Sequence, residues 1–220
     1  MVNGERMILD QGGGGYNSVT FSPYGHHLYN RRAASKSTLF VDGLGCRENS
    51  VCSETEVVEG DNLMGIRIDG SKIYLPRWRG FIGRLILMVE GRYWLVIDAA
   101  PGHRMESRFH TYADHTRGDD WVSLKSGSET LMMSFATLGG GVMQESRGMP
   151  FAPGRQTQIF RWMSNGPSRH SLQVTALNPG SDALGLELSK AEGGGFDIKV
   201  SGADGYERTV GVTQALRLRE

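Results

Sequence analysis

A basic excess is missing from this chain. Its 220 residues carry 24 lysines and arginines against 24 aspartates and glutamates, so the formal net charge is zero. General binding to nucleic acid or to an anionic membrane surface draws on a strong positive excess, and neither partner is expected. A local patch remains open, and Arg31, Arg32 and Lys36 are close enough in sequence to make one. Long apolar runs are missing as well: none approaches the roughly 18 residues of a membrane-spanning helix. The opening stretch MVNGERMILDQGGGG lacks the apolar core of an export signal. Cysteine is scarce, with only Cys46 and Cys52. A structural zinc site would use more Cys or His at close spacing. The pair reads either as two free thiols or as a small loop disulfide formed in an oxidising compartment. No segment sustains the 3.6-residue period of an amphipathic helix.

Glycine is what the chain has in excess: 31 residues, about twice the usual share of roughly 7%. The glycines follow no period, so they punctuate turns between strands rather than build a repeat. Between them lie short runs rich in β-branched and aromatic residues, such as STLFVDG, ETLMMSFATL, TQIFRWM, SLQVTAL and FDIKVSG. Strands at this spacing predict an all-β fold, an antiparallel β-sandwich. IRIDGSKIYL reads as a hairpin turning at Asp69-Gly70, RLILMVEGRYWLVIDAA as one turning at Glu90-Gly91 between two long buried strands, and KVSGADGYERTV as a third. VTQALRLRE reads as a terminal helix or a strand. The two prolines of RGMPFAPGR mark a weak interruption. The whole chain, residues 1–220, reads as one β-sandwich domain whose last strands form a second layer or a cap.

The chemistry concentrates near the N-terminus. QGGGGYN has the glycines of a phosphate cradle but not the Gly-Lys-Ser/Thr that grips phosphate, so it reads as a turn. In FSPYGHHLYNRRAASK, His26 and His27 are adjacent. On a strand they would face opposite ways, and only a loop lets both face one site. The bland reading is one surface histidine and one packed on an aromatic ring. Tyr24, Tyr29, Arg31 and Arg32 lie beside them. Arginine forks onto carboxylates and tyrosine stacks on sugar faces, a combination that suits an acidic sugar; a solvated connecting loop is the plain alternative. A second polar stretch, PGHRMESRFHTYADH, holds His103, His110 and His115. His110 follows Phe109 on a plausible strand, as a metal ligand or as a hydrogen-bonded sandwich histidine. No serine-hydrolase order or nucleophile elbow is present.

Taken in order, these residues resemble a known family. LDQGGGGYNSVTFSPYGHHLYNRRAASKSTLFVDGLG is similar to the start of the C-terminal β domain of heparinase II/III-like polysaccharide lyases, oligoalginate lyases among them. Asp10, Gly12 and Tyr16 match loosely, and His26-His27 and the run Leu39 to Gly45 match better. RLILMVEGRYWLVIDAA, MESRFHTY and VTALNPGSD continue the pattern, so the resemblance covers roughly residues 8 to 190. It implies a supersandwich-like domain that acts on uronic-acid polysaccharides by β-elimination. One group neutralises the carboxylate, and Tyr or His removes the acidified proton and protonates the leaving oxygen. On that reading His26, His27 and Tyr24 are the catalytic candidates. Arg31, Arg32, Asn30 and Tyr16 are the candidates for substrate contact, and Asp10 fixes the loop.

The departures matter too. The family places part of its catalytic set on an N-terminal helical toroid, which this sequence does not contain. The resembled structural metal site would draw on an upstream histidine, the aspartate, and a histidine where Lys36 and Ser37 stand here. No metal or other cofactor is therefore expected. The expectation is a β-sandwich part of a polysaccharide lyase, inactive alone, whose partners are an acidic polysaccharide or oligosaccharide and a helical toroid domain or subunit. The resemblance suggests a periplasmic or extracellular location. The alternatives are a non-catalytic carbohydrate-binding sandwich and a structural β protein.

Overall fold

The computed structural model describes residues 1–10, 29, 32–47, 50–52, 54–74, 80–149 and 156–219. In chain order its strands are β1 (Leu39–Val41), β2 (Glu54–Gly60), β3 (Leu63–Asp69), β4 (Gly83–Val89), β5 (Tyr93–Ala99), β6 (Met105–Thr111), β7 (Asp114–Arg117), β8 (Trp121–Ser126), β9 (Glu129–Thr137), β10 (Gly141–Arg147), β11 (Gln158–Ser164), β12 (Leu172–Pro179), β13 (Gly185–Lys190), β14 (Phe196–Ser201) and β15 (Glu207–Val212). Among the described residues the helical elements named are a 3-10 turn, Ala33–Ser35, and a single helical turn α1 (Ser71–Tyr74).

The strands form three antiparallel sheets. An eight-stranded sheet, ordered β2-β3-β4-β5-β12-β9-β8-β7, lies between a four-stranded sheet, β1-β6-β11-β10, and a three-stranded sheet, β13-β14-β15. Period-2 alternation assigns each central strand two jobs. Leu85, Leu87, Tyr93, Leu95, Leu172 and Val174 meet Phe196, Ile198, Val200 and Val210 of the three-stranded sheet in one core. On the opposite face Leu131, Met133 and Phe135 meet Phe109, Phe160 and Trp162 of the four-stranded sheet in a second. Each fully buried aliphatic or aromatic side chain contributes roughly 1.5–3 kcal/mol relative to exposure, so the two cores supply most of the driving force. The last strands form a third sheet, where the sequence suggested a second layer or a cap.

Turn chemistry sets the register at the β4–β5 hairpin. Glu90 and Gly91 both have positive φ, 51° and 68°. They are the central pair of a turn closed by the Arg92 N–H on the Val89 carbonyl, in a three-residue loop between the paired Val89 and Tyr93, and glycine adopts positive φ without strain. The hairpin expected at Asp69-Gly70 is not there. Asp69 Oδ1 instead accepts hydrogen bonds from the Ser71 N–H at 2.9 Å and the Ser71 hydroxyl at 2.6 Å. This starts α1, and β3 pairs with β2 and β4 instead. The C-terminal segment is neither helix nor strand: it turns at Leu216, φ 55°, and returns through a single bridge between Val212 and Leu218. RGMPFAPGR lies between β10 and β11, neighbours in one sheet, and so marks no break in the fold. Residues 150–155 of that stretch lie outside the described residues.

Candidate functional site

The outward face of the four-stranded sheet is polar because of β6. Ser107, Phe109 and Thr111 point inward, which turns Glu106, Arg108 and His110 outward. The register then sets Arg108 opposite Arg161 of β11, and Phe40 of β1 opposite Glu106. Two arginines facing each other across strands repel unless an anion joins them. Glu106 is that anion. Its carboxylate accepts a two-pronged pair from Arg161, Nε and Nη2 each at 2.8 Å, and a further bond from Arg108 Nε. Burial by itself would raise the Glu106 pKa, but the bonds from Arg161 and Arg108 outweigh it and hold the carboxyl below its usual range. The cluster of two guanidiniums and one carboxylate keeps one net positive charge. Arg108 also lies flat over Phe40, 3.6 Å from the ring centre, in cation–π contact.

Grooves open on both sides of this cluster. One, of about 480 Å3, is lined by Arg32, Arg47, Phe40 and Cys46. The other, of about 450 Å3, is lined by Arg104, Arg161, Asp42 and Glu106. Asp42 is held at a tight turn, with φ 50° ahead of Gly43 at 78°. Its carboxylate bonds His103 Nδ1 at 2.6 Å and the Arg104 N–H at 2.9 Å. Burial raises the Asp42 pKa, and the His103 and Arg104 contacts more than reverse that, leaving it low. Arg32 and Arg47 thus line one groove, Arg104 and Arg161 the other with Asp42 and Glu106, and Arg108 lies over Phe40 of the first. A neutral chain has gathered positive charge on this face.

Asp10 and Tyr29 flank the histidine-rich stretch in sequence, and the structure anchors both at this sheet. Leu9 pairs with His110 through a bridge. Ser37 ties the strap together: its N–H donates to Asp10 Oδ1 at 2.8 Å, its hydroxyl donates to the Leu9 carbonyl at 2.8 Å, and the same oxygen accepts the His110 N–H at 3.0 Å. Lys36 Nζ stands 4.0 Å from the Asp10 carboxylate. The Tyr29 hydroxyl donates to the Ala34 carbonyl at 3.0 Å. Burial raises the Tyr29 pKa despite a nearby Met149 backbone group and the Arg108 charge. His110 is fully buried, with Nδ1 3.3 Å from Thr157 Oγ1. Burial, then the Arg108 charge, pushes its pKa down to about 4, so it is neutral at ordinary pH.

Of the residues singled out from sequence, Tyr16, Tyr24, His26, His27, Asn30 and Arg31 lie outside the described residues. Asp10 and Arg32 lie within them, Asp10 in the strap and Arg32 in the first groove. Sequence reasoning missed Glu106, Arg108 and Arg161. The signal was present as period-2 polarity in MESRFH and as a lone charge inside IFRWM. Among the described residues no group of three or more His, Cys, Asp or Glu could hold a metal ion, and the Asp10 carboxylate is already engaged by Ser37 and Lys36. The metal site that the resemblance implies does not fit these residues. Cys46 and Cys52 are free thiols. No helix among the described residues is long and apolar enough to cross a membrane.

No protein-family model matches the chain, and no curated protein sequence does. Solved structures do. A heparinase III, the BT4657 gene product, superposes with a TM-score of 0.67 at 10% identity over 93% of this chain and 33% of its own. A second heparinase III gives 0.65 at 12% identity over 84% and 30%. The heparan sulfate lyase HepC from Pedobacter heparinus gives 0.62 at 15% identity over 94% and 34%. At such identities the likeness establishes the shared fold. The chain spans about a third of the length of these structures.

Proposed function

We propose that this chain is the β-sandwich portion of a polysaccharide lyase acting on uronic-acid polysaccharides by β-elimination, and that the outward face of the four-stranded sheet binds the acidic polymer. One observation carries the reading: a chain of zero net charge lines two grooves with Arg32, Arg47, Arg104 and Arg161, beside a Phe40–Arg108 stack. Carboxylate and sulfate groups accept the forked donors of arginine, and sugar rings stack on aromatic faces. The heparinase and heparan sulfate lyase names of the matched structures support an anionic glycan as the ligand.

On this reading the guanidiniums lower the charge on the uronate carboxylate, which makes the adjacent C–H acidic enough to lose its proton. Tyr24, His26 and His27 are the proposed proton carriers, with Tyr16, Asn30, Arg31 and Arg32 as further contacts and Asp10 as the fixed end of the strap. The matched structures are about three times as long as this chain, so a helical toroid domain or subunit is the proposed source of the remaining groups. A periplasmic or extracellular setting, where such polymers are met, goes with the proposal. The test is calorimetric titration of heparan sulfate and alginate oligosaccharides into the purified chain. Saturable binding that weakens in Arg108→Ala and Arg161→Ala supports it, and absence of binding to either polymer at low salt sinks it.

A further inference from the structure

Glu106 is an acid in the middle of a face proposed to bind acids. It is only 5% exposed, so it offers a ligand almost no surface of its own. Both of its oxygens are committed: Oε1 accepts from Arg108 Nε and Arg161 Nε, and Oε2 accepts from Arg161 Nη2. The two guanidiniums it joins serve different grooves. Arg161 lines the groove of Asp42 and Arg104, and Arg108 lies over Phe40, which lines the other. A guanidinium carries five N–H donors in a rigid fork, so both arginines keep Nη donors beyond those spent on Glu106. One of these, Arg161 Nη1, reaches Gln144 Oε1 at 3.4 Å, a weak contact that a stronger anion would displace.

We propose, on the reading that this face binds the acidic polymer, that Glu106 is a positioning residue: it holds Arg108 and Arg161 in one fixed arrangement, from which their remaining donors grip the anion. Two effects oppose each other here. Removing the Glu106 charge raises the cluster from one net positive charge to two, which favours an anion by charge count. It also frees two long side chains that face each other across strands as like charges. Ordering them again at the moment of binding costs affinity. Charge near the surface is screened over about 8 Å in 0.15 M salt, whereas the ordering cost is not screened. Orientation therefore wins at moderate salt, and the acid at the centre helps the face to hold an acid. Glu106→Gln separates the two effects. Glutamine has the same size, but it offers one acceptor oxygen where the Arg161 fork uses two, and its NH2 group turns a donor towards donors.

The test is calorimetric titration of heparan sulfate oligosaccharides into wild type and Glu106→Gln, at low salt and at about 0.15 M salt, with melting curves for both proteins. The expected result at the higher salt is binding weakened about fivefold or more in the folded variant, despite its added positive charge, with the gap narrowing at low salt. Binding by Glu106→Gln as tight as wild type, or tighter, at the higher salt overturns the proposal and leaves the proposed function standing. A wild type that binds no glycan removes the proposed function, and Glu106 then has no ligand to position arginines for. Where Glu106→Gln alone does not fold, Arg161→Gln and the double variant Glu106→Gln, Arg161→Gln take its place, since neither leaves two facing arginines unbridged. The double variant should bind no tighter than Arg161→Gln. Tighter binding by the double variant would show that Glu106 acts only as a charge, and overturns the proposal. Nitrogen NMR adds a readout free of glycan. The two Nε–H groups on Glu106 Oε1 should give two slowly exchanging signals in wild type, assigned through Arg108→Lys and Arg161→Lys, and both should be lost in Glu106→Gln. Fast exchange of both in wild type also overturns the positioning role.

Discussion

Arg84 and Asp98 stand directly opposite each other on β4 and β5, and their side chains close a two-pronged ion pair at 2.7 and 2.9 Å inside the sandwich. Burial alone would lower the Arg84 pKa, but the Asp98 charge and hydrogen bonds outweigh it, so the Arg84 pKa ends above its ordinary value. The network runs on into the four-stranded sheet. The Ser107 hydroxyl donates to Asp98 at 2.6 Å, and Gln173 Nε2 donates to the Trp162 carbonyl at 3.2 Å. The two sheets are therefore joined by a polar clamp beside the apolar cores.

Breaking one side of that clamp leaves an uncompensated buried charge. Asp98→Ala is expected to cost about 3–5 kcal/mol. The double variant Arg84→Met, Asp98→Leu should recover a substantial part of the loss, because no lone ion remains. Chemical denaturation of the three proteins checks this. Equal instability of the single and double variants would show that packing, not charge, was lost.

Acid stability should carry the signature of His110. Its folded pKa is about 4, below the 6.5 of an unfolded histidine. Between those values the unfolded chain binds the extra proton, so stability is full above about pH 6.5 and declines as pH falls towards 4, by up to about 3 kcal/mol. Glu106 and Asp42 have lowered pKa values, so their contribution is present above the ordinary carboxylate range and is lost only at lower pH. His110→Gln should flatten the upper window and leave the lower one. Melting temperatures from pH 7.5 to 3 separate the two windows. An unchanged slope between pH 6.5 and 4 in the variant would contradict the assignment.

The chain alone should turn over uronate polymers slowly or not at all. β-Elimination needs a carboxylate neutraliser, a base and an acid held together within hydrogen-bond reach, and part of that set is proposed to come from a helical domain. The unsaturated product absorbs in the ultraviolet, which makes the assay direct. Sustained absorbance growth on heparan sulfate or alginate oligosaccharides would mean that this sandwich already holds the whole set.

The β fold was legible because its signals are local. Glu90-Gly91 between two apolar runs is a turn by backbone sterics alone, and KVSGADGYERTV pairs as β14 and β15 for similar reasons. The edge strands β2 and β10 were missed because ETEVVEG and GVMQESR send little into the cores, Val58 from one and a half-buried Met143 from the other, and show no apolar alternation. Asp69-Gly70 misled because a competing partner, Ser71, captures the Asp69 side chain, which sequence spacing does not reveal. The candidate site was legible only in part. Arg32 declares itself by the run of polar residues around it in sequence, and Asp10 through the family resemblance. The Arg108–Arg161 pairing joins strands more than 50 positions apart, and only the sheet register brings it into view.

The central claim, that the arginine face binds an acidic polysaccharide, is tested most directly by titrating heparan sulfate oligosaccharides into wild type, Arg108→Ala and Arg161→Ala at several salt concentrations. Loss of a forked arginine–carboxylate or arginine–sulfate contact should cost about 1.5–3 kcal/mol. Wild-type affinity should fall as salt rises, because the attraction is between charges near the surface. The expected result is tight, salt-sensitive binding by wild type, about tenfold or more weakened in each variant, with melting temperatures showing all three folded. Wild-type binding that both folded variants retain in full would contradict the account and move the glycan site off this face.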